Sequence, residues 1–323
     1  MTIIKPSPTP RTQNRTAEPA ECCTSGNFSP LGIRLAVEAD SAALLGSVAN
    51  ACRGWEGEPE PGRLLRLDLR LRTGPFGEGP PRLSVEGGRL RIEGGNLSAA
   101  ADAETGQGDC AVHPDLLEVE QALRDEVLDP LLLFLLTRSG RTPLHAAGFI
   151  VRDLAVLLLG PSGAGKSCLA LAAARKGLHL LSDDTVYVQL QPELRIWGIP
   201  RAIHLYPGDA PEGTVGALRL RNGRLKQAVP AGLCERAPVA QSAVLCLLAP
   251  GRNAGLERIG PDEVRAAADA LEPGFDLLRT DIEAALARLG ASGGWRLTLS
   301  ADPAEAIDLL IRNLDRLEAG VAR

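Results

Sequence analysis

The residues with the clearest chemistry form a glycine-rich segment near the middle of the chain. The segment follows the pattern G-x-x-x-x-G-K-S and lies between the hydrophobic stretch 154–159 and a helix-forming stretch that begins at residue 168. In that context glycines let backbone N–H groups converge on phosphate oxygens, and the helix N-terminus adds a favourable dipole. The sequence therefore predicts a site for ATP or GTP. Its predicted nucleotide-binding residues are Gly160, Pro161, Ser162, Gly163, Ala164, Gly165, Lys166, Ser167 and Cys168.

Two side chains of this segment have individual predicted roles. Lys166 would bridge the β- and γ-phosphates, and the Ser167 hydroxyl would be a ligand of Mg²⁺. The chain has 35 basic residues, and reading along the sequence finds only four lysines among them: Lys5, Lys166, Lys176 and Lys226. A lysine at this position is therefore notable, because the planar fork of arginine does not replace a compact ammonium there.

A pair of adjacent carboxylates follows the phosphate-binding segment. Asp183 and Asp184 come seventeen residues after Lys166, directly behind the apolar stretch 178–182, which places them at the end of a strand. There Asp184 could hold Mg²⁺ while Asp183 accepts the proton of an incoming hydroxyl as general base. A solvated acidic turn is the alternative. His145 lies fifteen residues before Gly160; taken alone, it fits a packed core residue or a functional one.

The elements that would position these residues alternate between strand and helix after residue 140, which predicts an α/β domain. Strands are predicted at 144–151 and 154–160, a helix at 166–176, and two short strands within 178–190 around the acidic pair. Further on we expect a strand at 195–199, a hairpin at 216–228 with Asn222-Gly223 at its turn, and a strand at 242–249. Helices at 261–272 and 274–289, a strand at 295–300 and a helix at 303–317 that Asp302 caps complete the domain.

The first part of the chain has a different pattern. Residues 1–30 are rich in Pro, Thr, Ser and Asn, which is typical of a flexible tail. Short alternating stretches between 31 and 112 predict a small antiparallel meander, and a helical pair interrupted by Pro130 spans 114–140. Three units are therefore predicted: a disordered tail 1–30, a β-rich α+β domain 31–139 that ends in a helical linker, and a nucleotide-binding domain 140–323.

Composition excludes several classes of protein. The formal charge of −5 provides no broad cationic surface for nucleic acid. The N-terminus lacks a secretory apolar region, and the longest aliphatic runs, 131–136 and 154–159, are too short to span a bilayer. The seven cysteines are dispersed with no C-x-x-C pair. We therefore expect a cytoplasmic protein that binds neither membrane nor nucleic acid.

The order of these motifs resembles that of bacterial HPr kinase/phosphorylase. A histidine strand, the segment LLLGPSGAGKSCLAL and the segment GLHLLSDDTVYV correspond to the catalytic core of that family over residues 142–190, and more weakly to the end of the chain. The resemblance also extends to the nucleotide fold of ATP-dependent phosphoenolpyruvate carboxykinase. It implies that Ser162, Lys166 and Ser167 contact phosphate or magnesium, that Asp184 binds the metal, that Asp183 is the base and that His145 assists it.

Two departures limit the resemblance. The family's downstream signature for the phosphoacceptor has no clean match, and its nearest counterpart is the stretch RIWGIPRAIHL, where Arg195, Gly198 and Arg201 are candidate substitutes. The N-terminal meander also differs from the receiver-like domain of the regulatory enzyme. Both differences favour a dedicated kinase over the sugar-regulation enzyme.

The sequence thus predicts an ATP- and Mg²⁺-dependent kinase, with Asp183, His145 and Lys166 as catalytic residues and with Ser167 and Asp184 as metal ligands. In the resembled family the acceptor is a serine of a small protein, and relatives beside lasso-peptide genes resemble kinases of precursor peptides. We therefore expect a serine-bearing protein or peptide as partner, and the sequence also allows a homo-oligomer. A kinase of small molecules and a non-catalytic ATP-binding regulator are the alternatives.

Some polar residues remain outside this scheme. Arg219, Arg221, Arg224 and Lys226 flank the predicted hairpin turn, and a solvated face is favoured for them over a site for an acidic peptide or phosphate. His113, His179 and His204 have no partner at ligand spacing.

Overall fold

The computed structural model describes residues 23–200, 202–210, 216–221, 224–230, 234–268, 278–319 and 321. Within these residues the chain is a mixed α/β protein with four sheets, so the predicted α/β class is confirmed. Among the described helices, none combines the length and the apolarity that a membrane crossing requires. The α-helices are α1 Ala42–Cys52, α2 Glu120–Leu123, α3 Asp129–Thr137, α4 Lys166–Arg175, α5 Pro261–Ala268, α6 Arg279–Leu289, α7 Pro303–Arg312 and α8 Leu314–Glu318.

The first sheet contains seven strands. They are β1 Thr24–Phe28, β2 Arg34–Ala39, β3 Leu64–Leu71, β4 Arg82–Glu86, β5 Arg89–Gly94, β6 Leu97–Asp102 and β7 Gln107–Val112. Their order is β1-β2-β3-β7-β6-β5-β4. The predicted antiparallel meander is correct for β4 to β7, but β2, β3 and β7 pair in parallel. Helix α1, which the sequence analysis missed, supplies the crossover between β2 and β3 that a parallel pair requires.

Two boundaries of this region differ from the prediction. Residues 24–28, assigned to the flexible tail, form strand β1, which pairs with β2 from Thr24 to Phe28. Pro130 does not interrupt the helical segment either, because a π-helical turn at Arg124–Leu128 joins α2 to α3. In that turn the Asp129 N–H donates to the Arg124 carbonyl, five residues back. The helical hydrogen bonds thus shift to the π pattern just before Pro130, which has no N–H to donate. Leu128, Leu131 and Leu135 are part of the core of the first sheet, so this segment packs against the sheet as well as linking two regions.

The second sheet is the centre of the region that is predicted to bind a nucleotide. Its strands are β9 Ala147–Val151, β10 Leu154–Leu159, β11 His179–Ser182, β18 Ser242–Pro250, β19 Gly255–Ile259 and β20 Gly294–Leu299. Their order is β11-β9-β10-β18-β20-β19, with β10, β18 and β20 parallel. Val156 shares a core with Leu169 of α4, whereas Leu157 shares the opposite core with Ile282 of α6. Strand β10 is therefore covered on both faces, which explains its unbroken apolar sequence.

Two smaller sheets lie beside the central one. Their strands are β8 Thr142–His145, β12 Thr185–Gln189, β13 Arg195–Trp197, β14 Ile203–Leu205, β15 Ala217–Arg221, β16 Arg224–Val229 and β17 Val239–Ala240. The first sheet of the two has the order β17-β13-β12-β8, and the second has the order β14-β16-β15. The single strand predicted at 144–151 is wrong, because Ala146 separates β8 from β9 and the two join different sheets. The predicted turn Asn222-Gly223 lies outside the described residues.

Candidate active site

The glycine-rich segment connects β10 to α4, which is the strand–loop–helix arrangement that its pattern requires. Gly163 and Gly165 have φ angles of 85° and 97°, in the left-handed region that residues with a Cβ rarely adopt. Gly165 is also the N-cap of α4. The two glycines therefore allow the loop to curve so that the helix begins at Lys166.

The Lys166 side chain lies within the curve of this loop. Its Nζ donates to the carbonyl oxygen of Gly160 at 2.6 Å and to that of Pro161 at 3.1 Å. The residue is buried, with 7% of its surface exposed. The Ala164 N–H donates to the Pro161 carbonyl at 3.1 Å and closes the turn. The ammonium is thus held inside the loop by two of the loop's own carbonyl groups.

The acidic pair occupies the short turn between β11 and β12. The Ser182 Oγ accepts hydrogen bonds from the N–H groups of Asp184 at 3.2 Å and Thr185 at 3.1 Å, which fixes the turn. Asp183 is buried with 7% exposure, and its Oδ2 accepts from the His204 N–H at 2.8 Å. The Asp184 side chain is 52% exposed. The two adjacent carboxylates therefore have different surroundings, as two separate roles require.

His145 ends strand β8 and lies next to the acidic turn. It pairs with Thr185 of β12, the residue after Asp184. Its Nδ1 lies 3.6 Å from the Asp184 Oδ1. The contact shown is therefore with the carboxylate assigned to the metal, and assistance to Asp183 remains a prediction.

One pocket brings most of the predicted site residues together. From the loop and the start of α4 it is lined by Ser162, Gly163, Gly165, Lys166, Ser167 and Cys168. His145, Asp183 and Asp184 line it from the strands. Gly160, Pro161 and Ala164 belong to the same loop and provide the backbone bonds described above. Residues separated by more than thirty positions in the chain, such as His145 and Asp184, thus meet at one place.

The pocket also contains residues that the sequence analysis did not assign to it. His204, Leu205, Tyr206, Asp209 and Lys226 line its other side, from β14, the turn after it and β16. His204, set aside for lack of a partner at ligand spacing, has its Nδ1 3.8 Å from the Asp183 Oδ2. Lys226, for which a solvated face was favoured, lies in the pocket instead. The pairing of β14 with β16 brings the two strands together, and spacing along the chain does not reveal it. The only available signal was the cluster of polar residues after the RIWGIP stretch.

Arg195, Gly198 and Arg201 were the candidates for positioning the phosphoacceptor, and the two of them that the structure describes, Arg195 and Gly198, do not line this pocket. Arg195 forms ion pairs with Glu60 at 2.9 Å and with Glu193, so its guanidinium is used within the fold. Gly198 packs against the backbone of Leu181. Arg201 lies outside the described residues, as do the side chains of Arg219, Arg221 and Arg224.

Cys168 follows the phosphate-binding motif and lines the pocket. Burial raises the pKa of its thiol, and the negative charge of Asp209 adds to that effect. A raised pKa keeps the thiol protonated at neutral pH. Cys168 therefore acts at this site as a small neutral side chain rather than as a thiolate nucleophile.

The residues present fit a magnesium ion. The hydroxyl of Ser167 and the exposed carboxylate of Asp184 line the same pocket, and both are oxygen donors. Magnesium bound with a nucleotide commonly uses one or two protein ligands, with phosphates and water completing its shell. In the described part of the chain no group of three or more His, Cys, Asp or Glu side chains is placed to hold a metal alone. The donor set therefore suits a metal that arrives with phosphates.

Comparisons with known proteins point to one family. An HPr kinase/phosphorylase from Streptococcus thermophilus is 38% identical to this chain over 68 residues, which cover 21% of this chain and 22% of the relative. The enzyme of the same name from Streptococcus sanguinis is 35% identical over 65 residues, covering 20% and 21%. The chain thus spans about a fifth of the length of the curated relatives it matches.

The structural comparison gives a weaker match. The HPr(Ser) kinase/phosphatase from Coxiella burnetii is 16% identical, with a TM-score of 0.29, covering 55% of this chain and 99% of that structure. No family model matches the chain. On the strength of the two sequence matches, the resemblance to HPr kinase/phosphorylase that the motifs indicate is confirmed over about a fifth of this chain.

Proposed function

We propose that this protein is an ATP- and Mg²⁺-dependent kinase that transfers the γ-phosphate to a serine hydroxyl of a protein or peptide. The observation that carries the proposal is the shared pocket, which is lined by both the loop lysine Lys166 and the buried carboxylate of Asp183. A phosphate-binding loop alone serves many reactions. A carboxylate in the same pocket adds the group that a hydroxyl acceptor needs.

In this proposal Asp183 is the general base. Its carboxylate accepts the hydroxyl proton as the serine oxygen bonds to the γ-phosphorus and the bond from that phosphorus to the β,γ-bridging oxygen breaks, which releases ADP. The hydrogen bond from the His204 N–H at 2.8 Å fixes Oδ2 and so orients the carboxylate. Lys166, whose ammonium is held within the loop, binds the phosphates. We assign His145, 3.6 Å from Asp184, to holding that second carboxylate in place.

Ser167 and Asp184 would hold the magnesium ion. When bound with ATP, Mg²⁺ neutralises phosphate charge and thereby favours attack by the hydroxyl. The exposure of Asp184 suits this role, because a ligand shared with an incoming Mg·ATP complex must be reachable from solvent.

A protein or peptide acceptor is preferred because the curated relatives are named for a protein kinase activity, on HPr. A small-molecule kinase would use the same groups. A regulator that binds ATP without catalysis is the third possibility. The buried Asp183 carboxylate in the same pocket as the loop argues against it, because binding alone does not require a base.

The proposal is tested with γ-labelled ATP, Mg²⁺ and the proteins or peptides encoded beside this gene, with GTP as a comparison. We expect acid-stable phosphoserine with the wild-type chain. Lys166→Ala should lose transfer because phosphate binding is lost, and Lys176→Ala is the matched control. Label found only on metabolites after macromolecules are removed would support the small-molecule kinase instead, and tight ATP binding without any transfer would support the regulator.

A further inference from the structure

Strand β16 contributes a second lysine to the pocket. Lys226 is sixty residues from Lys166 along the chain, and its strand belongs to a different sheet from β10, yet both lysines line the same pocket. The pairing of β16 with β14 explains this, because Gln227, the next residue, is opposite Leu205 in the ladder. The position of Lys226 is therefore built into the sheet that also carries His204.

The surroundings of Lys226 differ from those of the other lysine that the structure describes outside the loop. Lys176 forms an ion pair with Asp308 at 2.6 Å, on the surface of α7. The ammonium of Lys226 instead lies 5.4 Å from the centre of the Tyr206 ring. The face of an aromatic ring attracts an ammonium group without occupying the N–H donors of that ammonium in ordinary hydrogen bonds. The Tyr206 ring can therefore position the Lys226 ammonium while its donors still bind an anion.

The charge of the pocket indicates which anion Lys226 would bind. Three carboxylates line the pocket, those of Asp183, Asp184 and Asp209, and they repel any anion that enters without a counter-cation, as a peptide carboxylate would. In the proposed transfer the γ-phosphate must enter this pocket, and it would arrive with Mg²⁺, whose charge offsets that repulsion. Charge develops on its peripheral oxygens during transfer, and cations on both sides of it are favourable.

We propose that Lys226 binds the terminal phosphate of the nucleotide from the hairpin side of the pocket, as a partner to Lys166 on the loop side. This inference rests on the proposed function, because it names a further phosphate contact of the same site. Tyr206 is then a positioning residue, which holds the ammonium by its ring.

The first test compares nucleotide affinities by titration calorimetry in the presence of Mg²⁺. Lys226→Met should raise the Kd for ATP about tenfold or more, which corresponds to the loss of one charge-assisted hydrogen bond. The Kd for ADP should stay within about twofold of the wild-type value, because ADP lacks the terminal phosphate. Lys226→Arg, which keeps the charge, should recover part of the ATP affinity. Lys176→Met is the matched control and should bind both nucleotides as wild type does. Equal weakening of ATP and ADP, or unchanged ATP affinity with a raised KM for the acceptor, would overturn the inference.

The second test exploits the scarcity of lysine in this chain. An acyl phosphate of ATP, whose acyl group is on the terminal phosphate, acylates lysine amines beside that phosphate and releases ATP. We expect acylation of Lys166 and Lys226, located by peptide mass spectrometry and prevented by excess Mg·ATP, with Lys176 labelled slowly and without protection. Labelling of Lys166 but not Lys226 refutes this inference and leaves the proposed function standing. Protection of neither lysine, together with no ATP binding, refutes both.

Discussion

At the scale of single residues, the site depends on placing two adjacent carboxylates in different environments. Asp183 is buried and accepts from a backbone N–H, whereas Asp184 faces solvent beside His145. In the proposed mechanism the buried carboxylate serves the acceptor and the exposed one serves the metal.

The thiol of Cys168 provides a pH-dependent prediction at this scale. Because its pKa is raised in the folded protein, less thiolate forms at a given pH, and alkylation becomes fast only above the ordinary thiol pKa of about 8.5. At pH 7.5 iodoacetamide should therefore modify the exposed Cys23 well before Cys168, and Mg·ATP should slow Cys168 further because that residue lines the pocket. Peptide mass spectrometry over time measures both rates.

Cys246 is the internal control for this experiment. It is fully buried, and burial raises the pKa of its thiol to about 12, so it should stay unmodified while the protein is folded. Modification of Cys168 as rapid as that of Cys23 at pH 7.5, with Cys246 still intact, would contradict the environment assigned to Cys168.

At the scale of elements, the acidic turn is held by close packing between β11 and the end of β13. A Cβ on Gly198 would lie 2.6 Å from the Cα and the carbonyl oxygen of Leu181, which comes two residues before Asp183. Backbone atoms cannot move aside as a flexible side chain can. The absence of a side chain at residue 198 therefore determines how near β13 comes to the acidic turn.

Gly198→Ala should lower the free energy of unfolding by about 1–3 kcal/mol, because the added methyl overpacks a backbone contact. It should also reduce phosphate transfer in the protein that remains folded, since Asp183 is displaced. Gly46→Ala is the control: that residue is in helix α1 with open space around it, where alanine should raise stability by about 0.5–1 kcal/mol. Denaturant unfolding measures both, and a neutral Gly198→Ala would show that the two strands are not in close contact.

The elements nearest the chemistry could be predicted from sequence, and the pairing between distant strands could not. The apolar run of β10, the helix that starts at Lys166 and the two strands around the acidic pair all have local signals, and the structure has them at nearly the expected residues. Strand β1 and the parallel pairing of β2 with β3 depend on partners far along the chain. For the same reason the sequence did not predict that Lys226 lines the pocket, because its position follows from the pairing of β16 with β14.

At the scale of the whole molecule, one partly buried carboxylate joins the N-terminal sheet region to the strands that carry the site. Glu60, in the segment before β3, forms ion pairs with Arg141 and Arg195, both at 2.9 Å, and accepts from the Gln189 amide at 3.1 Å. The Gln189 Oε1 in turn accepts from the indole of Trp197 at 2.8 Å. Burial lowers the pKa of Arg141, and the Glu60 carboxylate opposes that effect.

No local sequence pattern predicts this network, because Glu60 and Gln189 are 129 residues apart. Gln189 ends strand β12, which begins directly after the acidic turn. We therefore expect the N-terminal region to support the geometry of Asp183 and Asp184 through β12.

Glu60→Ala should lower the free energy of unfolding by about 3 kcal/mol, since it leaves the buried Arg141 without its partner. The matched control is Glu58→Ala, which removes an exposed ion pair with Arg236 and should change stability little. In the double variant Glu60→Ala with Arg141→Met, part of the loss should be recovered because no unpaired charge remains buried. Chemical denaturation gives these values, and equal effects of Glu60→Ala and Glu58→Ala would refute a linking role for Glu60.

The measurement that tests the central claim most directly separates nucleotide binding from transfer in Asp183→Asn. The asparagine oxygen can still accept the bond from the His204 N–H, so the fold of the turn should persist, but the amide cannot take a proton from a serine hydroxyl. We predict a Kd for Mg·ATP within about twofold of wild type and a rate of γ-phosphate transfer to serine at least about a hundredfold lower. Transfer at the wild-type rate in Asp183→Asn would contradict the assignment of Asp183 as the base and, with it, the proposed mechanism.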